Sequence, residues 1–505
     1  MPTWLASVVL VGHFGLLLVL CIYGTHRLYL TWQVLRWRSR QALPGVQPAV
    51  PQAPLWPLPV VTVQLPIYNE KFVVERLIDA VAALRYPPDR LQIQVLDDST
   101  DDTVALAQAR VAWHRARGVW IEHLHRTDRT GYKAGALAAA LPRAAGELIA
   151  IFDADFVPGP ELLHNALAPF ADPRVGMVQT RWEHLNRGYN ALTQVQAIML
   201  DAHFAIDQPA RHRAGVFFNF NGTAGIWRAQ AIRDAGGWHW DTITEDLDLS
   251  YRAQLQGWRF AYLQQVGCPS ELPVEMNAFK SQQHRWAKGA IQVMRKTLPQ
   301  IWRAPLSLHH KLEATLHLSS NLAYLLMLLH SAVFLLPSIL IREQLGWGLS
   351  LWWLDLPLLV LATGSHLLFF LVGQRQLFGR IGARWVYVPA LLATSVGLGL
   401  NNGRAVLEAL LGRQSAFVRT PKLGAHALQN HGIAARPRSY APRLGGYELL
   451  EIALAALYAA YTAWAVWQGF WTLVPFLLLF VWGLLFSGVQ SLRERNARSL
   501  LAPAA

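Results

Sequence analysis

Five short motifs stand in order along one stretch of this chain: Asp97-Asp98, Asp153-Ala154-Asp155, Asn221-Gly222-Thr223, Thr244-Glu245-Asp246 and Gln282-Gln283-His284-Arg285-Trp286. Paired carboxylates at strand ends can hold a nucleotide and a hard divalent cation, Mg²⁺ or Mn²⁺, through oxygen ligands. A later carboxylate can take the proton of a hydroxyl whose own pKa lies far above neutrality. An Arg-Trp pair can grip a departing diphosphate and the face of a sugar ring. No second carboxylate is paired with these in the role of a nucleophile, so direct inverting displacement is favoured over double displacement.

Each motif also has a plainer structural reading. Asp97-Asp98-Ser99-Thr100 and Asp153-Ala154-Asp155 can cap the helices that follow them, and Thr244 can cap the helix begun by Glu245. The Gln282–Trp286 segment can be a membrane-surface anchor, because Phe279, Trp286, Ile291 and Met294 are set among Lys280, Lys288 and Arg295 as in an amphipathic interfacial helix. His284 has no His or Cys partner at metal-ligand spacing and is read as structural.

The elements that must position these residues alternate in type. Short apolar or β-branched runs at 60–65, 91–96, 119–124, 148–152 and 175–180 are separated by helical patterns. Such alternation predicts βα units on a mostly parallel sheet with helices on both faces, whose ligands collect beyond the carboxyl ends of the strands. Asp97-Asp98 and Asp153-Ala154-Asp155 sit at two of those ends. Neither GxGxxG nor GxxxxGK[ST] is present, which argues against dinucleotide and P-loop chemistry.

Apolar runs flank this α/β stretch on both sides. With 53% hydrophobic residues, 15% charged residues and 21 Trp in 505 residues, part of the chain must lie in lipid and part in water. The net charge of +13 arises from Arg gathered beside apolar runs, as in a membrane protein facing anionic head groups, rather than from a nucleic-acid footprint. The run at 4–23 is followed by Arg27, Arg36, Arg38 and Arg40, so positive-inside logic leaves the N-terminus outside. Later runs at 316–341, 354–373, 449–467 and 470–489 complete five spans. The 15-residue run at 386–400 is too short to span, and reads as interfacial or re-entrant. The division expected is an anchor (1–30), a Pro-rich linker (31–59), the α/β domain (60–275), interfacial helices (276–312), two spans (313–373), a re-entrant helix and loop (374–448), two spans (449–490) and a cytoplasmic tail (491–505). The two cysteines, Cys21 and Cys268, form no disulfide framework, consistent with a cytoplasmic catalytic part.

The order D, DxD, TED and QxxRW resembles the membrane-integrated family 2 glycosyltransferases of the cellulose synthase superfamily. The text Phe220-Asn221-Gly222-Thr223-Ala224-Gly225-Ile226-Trp227-Arg228, Thr244 to Leu249 and Ser270-Glu271-Leu272-Pro273 is similar to the cellulose-synthase-like A (mannan and glucomannan synthase) group and its bacterial relatives. The resemblance covers roughly 60–422. It implies a GT-A domain in which Pro66, Tyr68, Glu70, Asp97, Asp98 and Lys133 contact the nucleotide, with Asp98 at the uracil. Asp153 and Asp155 would hold diphosphate and metal, and Asp246 would be the base, with Glu245 beside it. Gln282, Arg285 and Trp286 would serve diphosphate and acceptor, and Asn221, Thr223 and Trp227 the acceptor. Phe417 to Lys422, with Thr420, is similar to the family's gating loop but has Arg419 where that motif has Val. The implied activity is processive transfer of a hexose from UDP-glucose or GDP-mannose to a β-linked glycan, in a bacterial inner membrane. The rival is a single transfer to diacylglycerol or ceramide.

Overall fold

The computed structural model describes residues 3–41, 57–347, 352–414, 419, 420, 422, 424 and 447–499. Residues 42–56 of the Pro-rich linker and Phe417 lie outside the described residues, and the linker's first residues, 31–41, continue the first helix, Thr3–Gln41.

Seven strands form one sheet: β1 Val61–Ile67, β2 Leu91–Asp97, β3 Ile121–His125, β4 Leu148–Ile151, β5 Val175–His184, β6 Gly225–Arg228 and β7 Arg259–Ser270, in the order β3-β2-β1-β4-β6-β5-β7. β1 pairs in parallel with both β2 and β4, whereas β6 runs antiparallel to both β4 and β5. The strand order therefore reverses between β1 and β4. That is the switch point at which a doubly wound sheet leaves a crevice beyond its carboxyl ends.

Alternation puts β4 into two cores, Leu148 and Ala150 on one face and Ile149 and Ile151 on the other, so helices cover both sides. The polar positions of the first strands are buried as well. Thr62 Oγ1 donates to Gln92 Oε1 (2.7 Å), Gln64 Nε2 to Gln94 Oε1 (3.0 Å), and Gln94 Nε2 to Glu122 Oε1 (2.9 Å). The register places these residues opposite one another, so a polar ladder runs across three strands inside the sheet. β6 and β7 were not among the strand runs read from sequence. β6 has only four residues and its text was absorbed into a motif.

Among the described residues five helices are long and apolar enough to cross a membrane: Thr3–Trp37, Leu322–Gln344, Leu356–Phe378, Glu448–Trp467 and Val474–Asn496. Gly382–Gly397 and Gly399–Leu410 form a pair bent by 41°. The run at 386–400 thus contributes to a broken helix. It packs through glycine: a Cβ at Gly397 would fall 2.3 Å from the Gly483 carbonyl oxygen, so the two backbones touch.

The helix Met276–Arg303 is packed on much of its surface by the rest of the chain. Phe279, Lys280, Gln283, Ala287, Lys288 and Ile291 are all buried. Two of its basic residues find carboxylates far away in the chain: Lys280 Nζ bonds Glu451 (2.6 Å) and Lys288 Nζ bonds Glu408 (3.0 Å). Glu494 accepts from the amides of Met276 (2.6 Å) and Asn277 (2.9 Å), capping the helix from the last span.

Candidate active site

One pocket at the switch point is lined by Pro66, Tyr68 and Glu70 after β1, Asp98 after β2, Asp153 and Asp155 after β4, Asn221 and Gly222, Glu245 and Asp246, and Gln282, Arg285 and Trp286 from the buried helix. Thr420 and Lys422 close its side. Residues spread over more than 350 positions thus meet in one place.

The loops that carry them are held in unusual backbone conformations. The three non-glycine residues with positive φ among the described residues are Asn69 (54°), Tyr132 (50°) and Ala224 (52°), and each adjoins a site segment. Gly131 (φ 75°) and Tyr132 in succession turn the chain so that Lys133 Nζ reaches Asp153 Oδ1 (2.6 Å) and the Gly222 carbonyl (2.8 Å). Gly222 (φ 81°) is required twice, since a Cβ there would also lie 3.0 Å from Asp246 Oδ2.

Burial and like charge shape the electrostatics. Burial, then the neighbouring Glu245, push the Asp246 carboxyl up to about 7. Burial pushes Glu70 up to about 7 despite Arg419, 2.8 Å away. Burial raises Asp155 as well, opposed by its ion pair with Lys422 and aided by the charge of Asp153. Burial holds the Arg285 guanidinium down to about 10; it donates to Thr420 Oγ1 (2.7 Å). A carboxylate near neutrality beside strong cations is what a proton-accepting site for an anionic substrate requires.

Four expected site residues fall elsewhere or act differently. Asp97 is fully buried, accepting from His123 Nε2 (2.8 Å) and the Ser99 amide (2.8 Å), so it orders the loop and does not line the pocket. Asp98 lines the pocket, but Arg126 donates to both its oxygens (2.8 and 2.6 Å), so it stands there as half of an ion pair and not as a free carboxylate. Thr223 is buried, and its Oγ1 accepts from the Asp153 amide (2.8 Å), a supporting role one layer back. Trp227 is wholly buried against Phe220, Trp238 and Phe260; on β6 its side chain points into the core and does not line the pocket. Nor does Thr244 cap with its side chain; Asp246 Oδ1 instead accepts from the next amide, Leu247 (2.9 Å). His284 lies 3.4 Å from Glu408 and is not among the residues that line the pocket.

Arg129 was missed. Its guanidinium lies 3.4 Å over the Tyr68 ring on the pocket wall. Only its position four residues before Lys133 hinted at this. His239, Asp241 and Asp248 bring three possible ligand atoms within 4.8 Å, but Lys296 Nζ already bonds Asp241 (2.8 Å) and Asp248 (2.9 Å), so that cluster is neutralised internally.

Comparison with known proteins gives the same outline. Residues 59–289 match the model of the glycosyltransferase-like family 2. Glucomannan 4-beta-mannosyltransferase 2 of Arabidopsis thaliana is 45% identical over 251 residues, 48% of this chain and 47% of that protein. Glucomannan 4-beta-mannosyltransferase 1 of Oryza sativa subsp. japonica is 43% identical over 252 residues, 48% of each. The chain thus spans about half the length of the curated relatives it matches. Among solved structures, mannosyltransferase PcManGT from Pyrobaculum calidifontis, in complex with GDP-Man and Mn²⁺, has 23% identity and a TM-score of 0.48, covering 74% of this chain and 98% of that one. The sheet, the pocket at its switch point and the family match agree, and residues 59–289 carry a glycosyltransferase family 2 domain.

Proposed function

We propose that the chain is a membrane-integrated inverting glycosyltransferase that moves a hexose, mannose foremost, from a nucleotide sugar to a growing β-1,4-linked glycan. The observation that carries this reading is the convergence of Asp246, Lys133, Asp153, Arg285 and Trp286 on one pocket. The 45% identity to a glucomannan 4-beta-mannosyltransferase supports the sugar and the polymeric acceptor over a lipid one.

In this reaction the acceptor hydroxyl attacks the anomeric carbon and its proton passes to Asp246. The bond to the diphosphate breaks with its electron pair on the leaving oxygen. Arg285 faces that developing charge, and Trp286 offers a flat apolar surface to a sugar ring. Asp153 and Asp155 supply hard oxygen donors suited to Mg²⁺ or Mn²⁺, and their mutual repulsion, now relieved by Lys133 and Lys422, fits them for a cation. When bound, such an ion would offset diphosphate charge.

Counting the candidate spans supports a relative sidedness, and the Arg residues that follow the first span support the choice of inside for the domain. The catalytic domain precedes the spans Leu322–Gln344 and Leu356–Phe378, which return the chain to the domain's side. Lys422 contacts Asp155 on that same side. This supports a bent pair at 382–410 that re-enters without a net crossing, with the domain inside and the N-terminus outside.

The test is product analysis. Protein in nanodiscs receives radiolabelled GDP-mannose or UDP-glucose with Mg²⁺ or Mn²⁺. Label in an ethanol-insoluble polymer released by endo-β-mannanase is expected, with loss of incorporation in EDTA. Label extracting into chloroform would favour the lipid acceptor, and full activity in EDTA would remove the metal.

A further inference from the structure

Arg129 stands on the pocket wall, near the end of the loop that joins β3 to the helix Tyr132–Ala140. Short-range bonds brace this loop. Arg126 Nη2 donates to the Tyr132 carbonyl (3.1 Å), the Thr130 amide and hydroxyl donate to Asp128 Oδ1 (2.9 and 2.6 Å), and the Tyr132 amide returns to the Arg129 carbonyl (3.0 Å). The Arg129 guanidinium itself is held by rings: its carbon lies 3.4 Å from the centre of Tyr68 and 4.8 Å from that of Tyr132. Among the described residues it makes no hydrogen bond or ion pair. Its Nε is buried, but the two terminal nitrogens are not. What Arg129 offers the pocket is therefore the in-plane pair of N–H groups on Nη1 and Nη2.

Strand order says which part of a nucleotide these donors meet. Asp98 follows β2 and Asp153 follows β4, with β1 between, so about 10 Å of sheet separates the two carboxylates. Asp98 is the carboxylate whose charge acts most on Arg129. With a diphosphate at Asp153 and Asp155, Arg129 thus stands at the base end. Asp98 cannot choose between bases, because guanine and uracil each bring a ring N–H from which a carboxylate can accept. Two parallel donors can choose. Guanine presents O6 and N7 side by side, the arrangement that a guanidinium meets with two bonds, whereas uracil presents O4 beside a C–H and satisfies one.

We propose that Arg129 is the specificity-determining residue for the donor base, selecting guanine over uracil by donating from Nη1 and Nη2 to O6 and N7. This rests on the glycosyl-transfer reading and names the nucleotide of that reaction. Tyr68 and Tyr132 fix the plane of the guanidinium without using up its donors, so the fork is set before the nucleotide arrives.

The experiment measures binding of GDP, UDP and 7-deaza-GDP, with Mn²⁺, to the full chain in detergent by titration calorimetry. All three carry the same diphosphate, and 7-deaza-GDP lacks only the N7 acceptor. The unsubstituted protein is expected to bind GDP roughly tenfold tighter than either of the others. Arg129→Met, and Arg129→Lys with its single point charge, are expected to bring GDP to the level of UDP while UDP stays within about twofold. If Arg129→Met weakens GDP and UDP by the same factor, Arg129 serves the diphosphate and the proposal is overturned. Equal binding of GDP and 7-deaza-GDP to the unsubstituted protein overturns it without any variant, and that comparison decides alone should the variants fail to fold. In both cases the transferase reading stands. An unsubstituted protein that binds neither GDP nor UDP would instead sink the transferase reading, and this inference with it.

Discussion

Asp246 carries the sharpest expectation at the residue scale. Asp246→Asn keeps shape but cannot take a proton, so turnover should drop by ~10² to 10⁴ with donor affinity little changed. Near-normal turnover would move the proton to Glu245 or water. The raised carboxyl also sets a pH dependence. As a base Asp246 works only when deprotonated, so kcat/KM should rise with pH through about 7, and Asp246→Asn should abolish that limb. The linkage to stability has the opposite sign. The folded chain keeps a proton that the unfolded chain releases near pH 4, so raising the pH from about 4 to about 7 should lower stability through this group. Gly222→Ala should strain a backbone at φ 81° and crowd Asp246, giving a large fall in turnover in a protein that still binds donor. Unchanged turnover in Gly222→Ala would mean that this loop does not set the base.

The element that decides the site is the helix Met276–Arg303. It is held at both faces by residues outside the sheet: Glu451 and Glu494 from the last two spans, and Glu408 from the bent pair. The Lys280–Glu451 pair is almost completely buried, with side chains 6% and 2% exposed. Removing one partner leaves an uncompensated charge, so Lys280→Met should cost ~3–5 kcal/mol, and Lys280→Met with Glu451→Leu much less than the sum of the singles. Unfolding in detergent measures both. Additive losses would show that the two residues act independently. Because Arg285 and Trp286 ride on this helix, the single change should also lower turnover.

The arrangement of the whole molecule makes a claim about sidedness. Cysteines introduced at Arg384 and Arg413, at the two ends of the bent pair, should label from the same side as the catalytic domain, and one at Trp4 from the opposite side. The native thiols Cys21 and Cys268 are buried, which keeps the background low. Opposite labelling at 384 and 413 would make the pair a true sixth span. It would then conflict with the contact between Lys422 and Asp155.

What the sequence determined by itself was local or periodic. Strand ends with carboxylates, apolar runs near 20 residues and the order of the motifs all follow from neighbours along the chain; they yielded the mostly parallel sheet and the candidate spans, and the family resemblance carried by that order supplied further residues of the pocket, Tyr68, Glu70 and Lys133 among them. Tertiary structure alone decided which face of each motif turns inward. Trp227 and Thr223 share a motif with Asn221, yet β6 and the loop before it send Trp227 to the core and leave Asn221 on the wall. Lys280 and Lys288 look solvent-facing until Glu451 and Glu408 arrive from more than a hundred residues away. Asp97 and Asp98 are adjacent carboxylates, separated in role because one meets His123 and the other Arg126. The energy of a charge or a donor depends on its partners, and those partners are brought together only by folding.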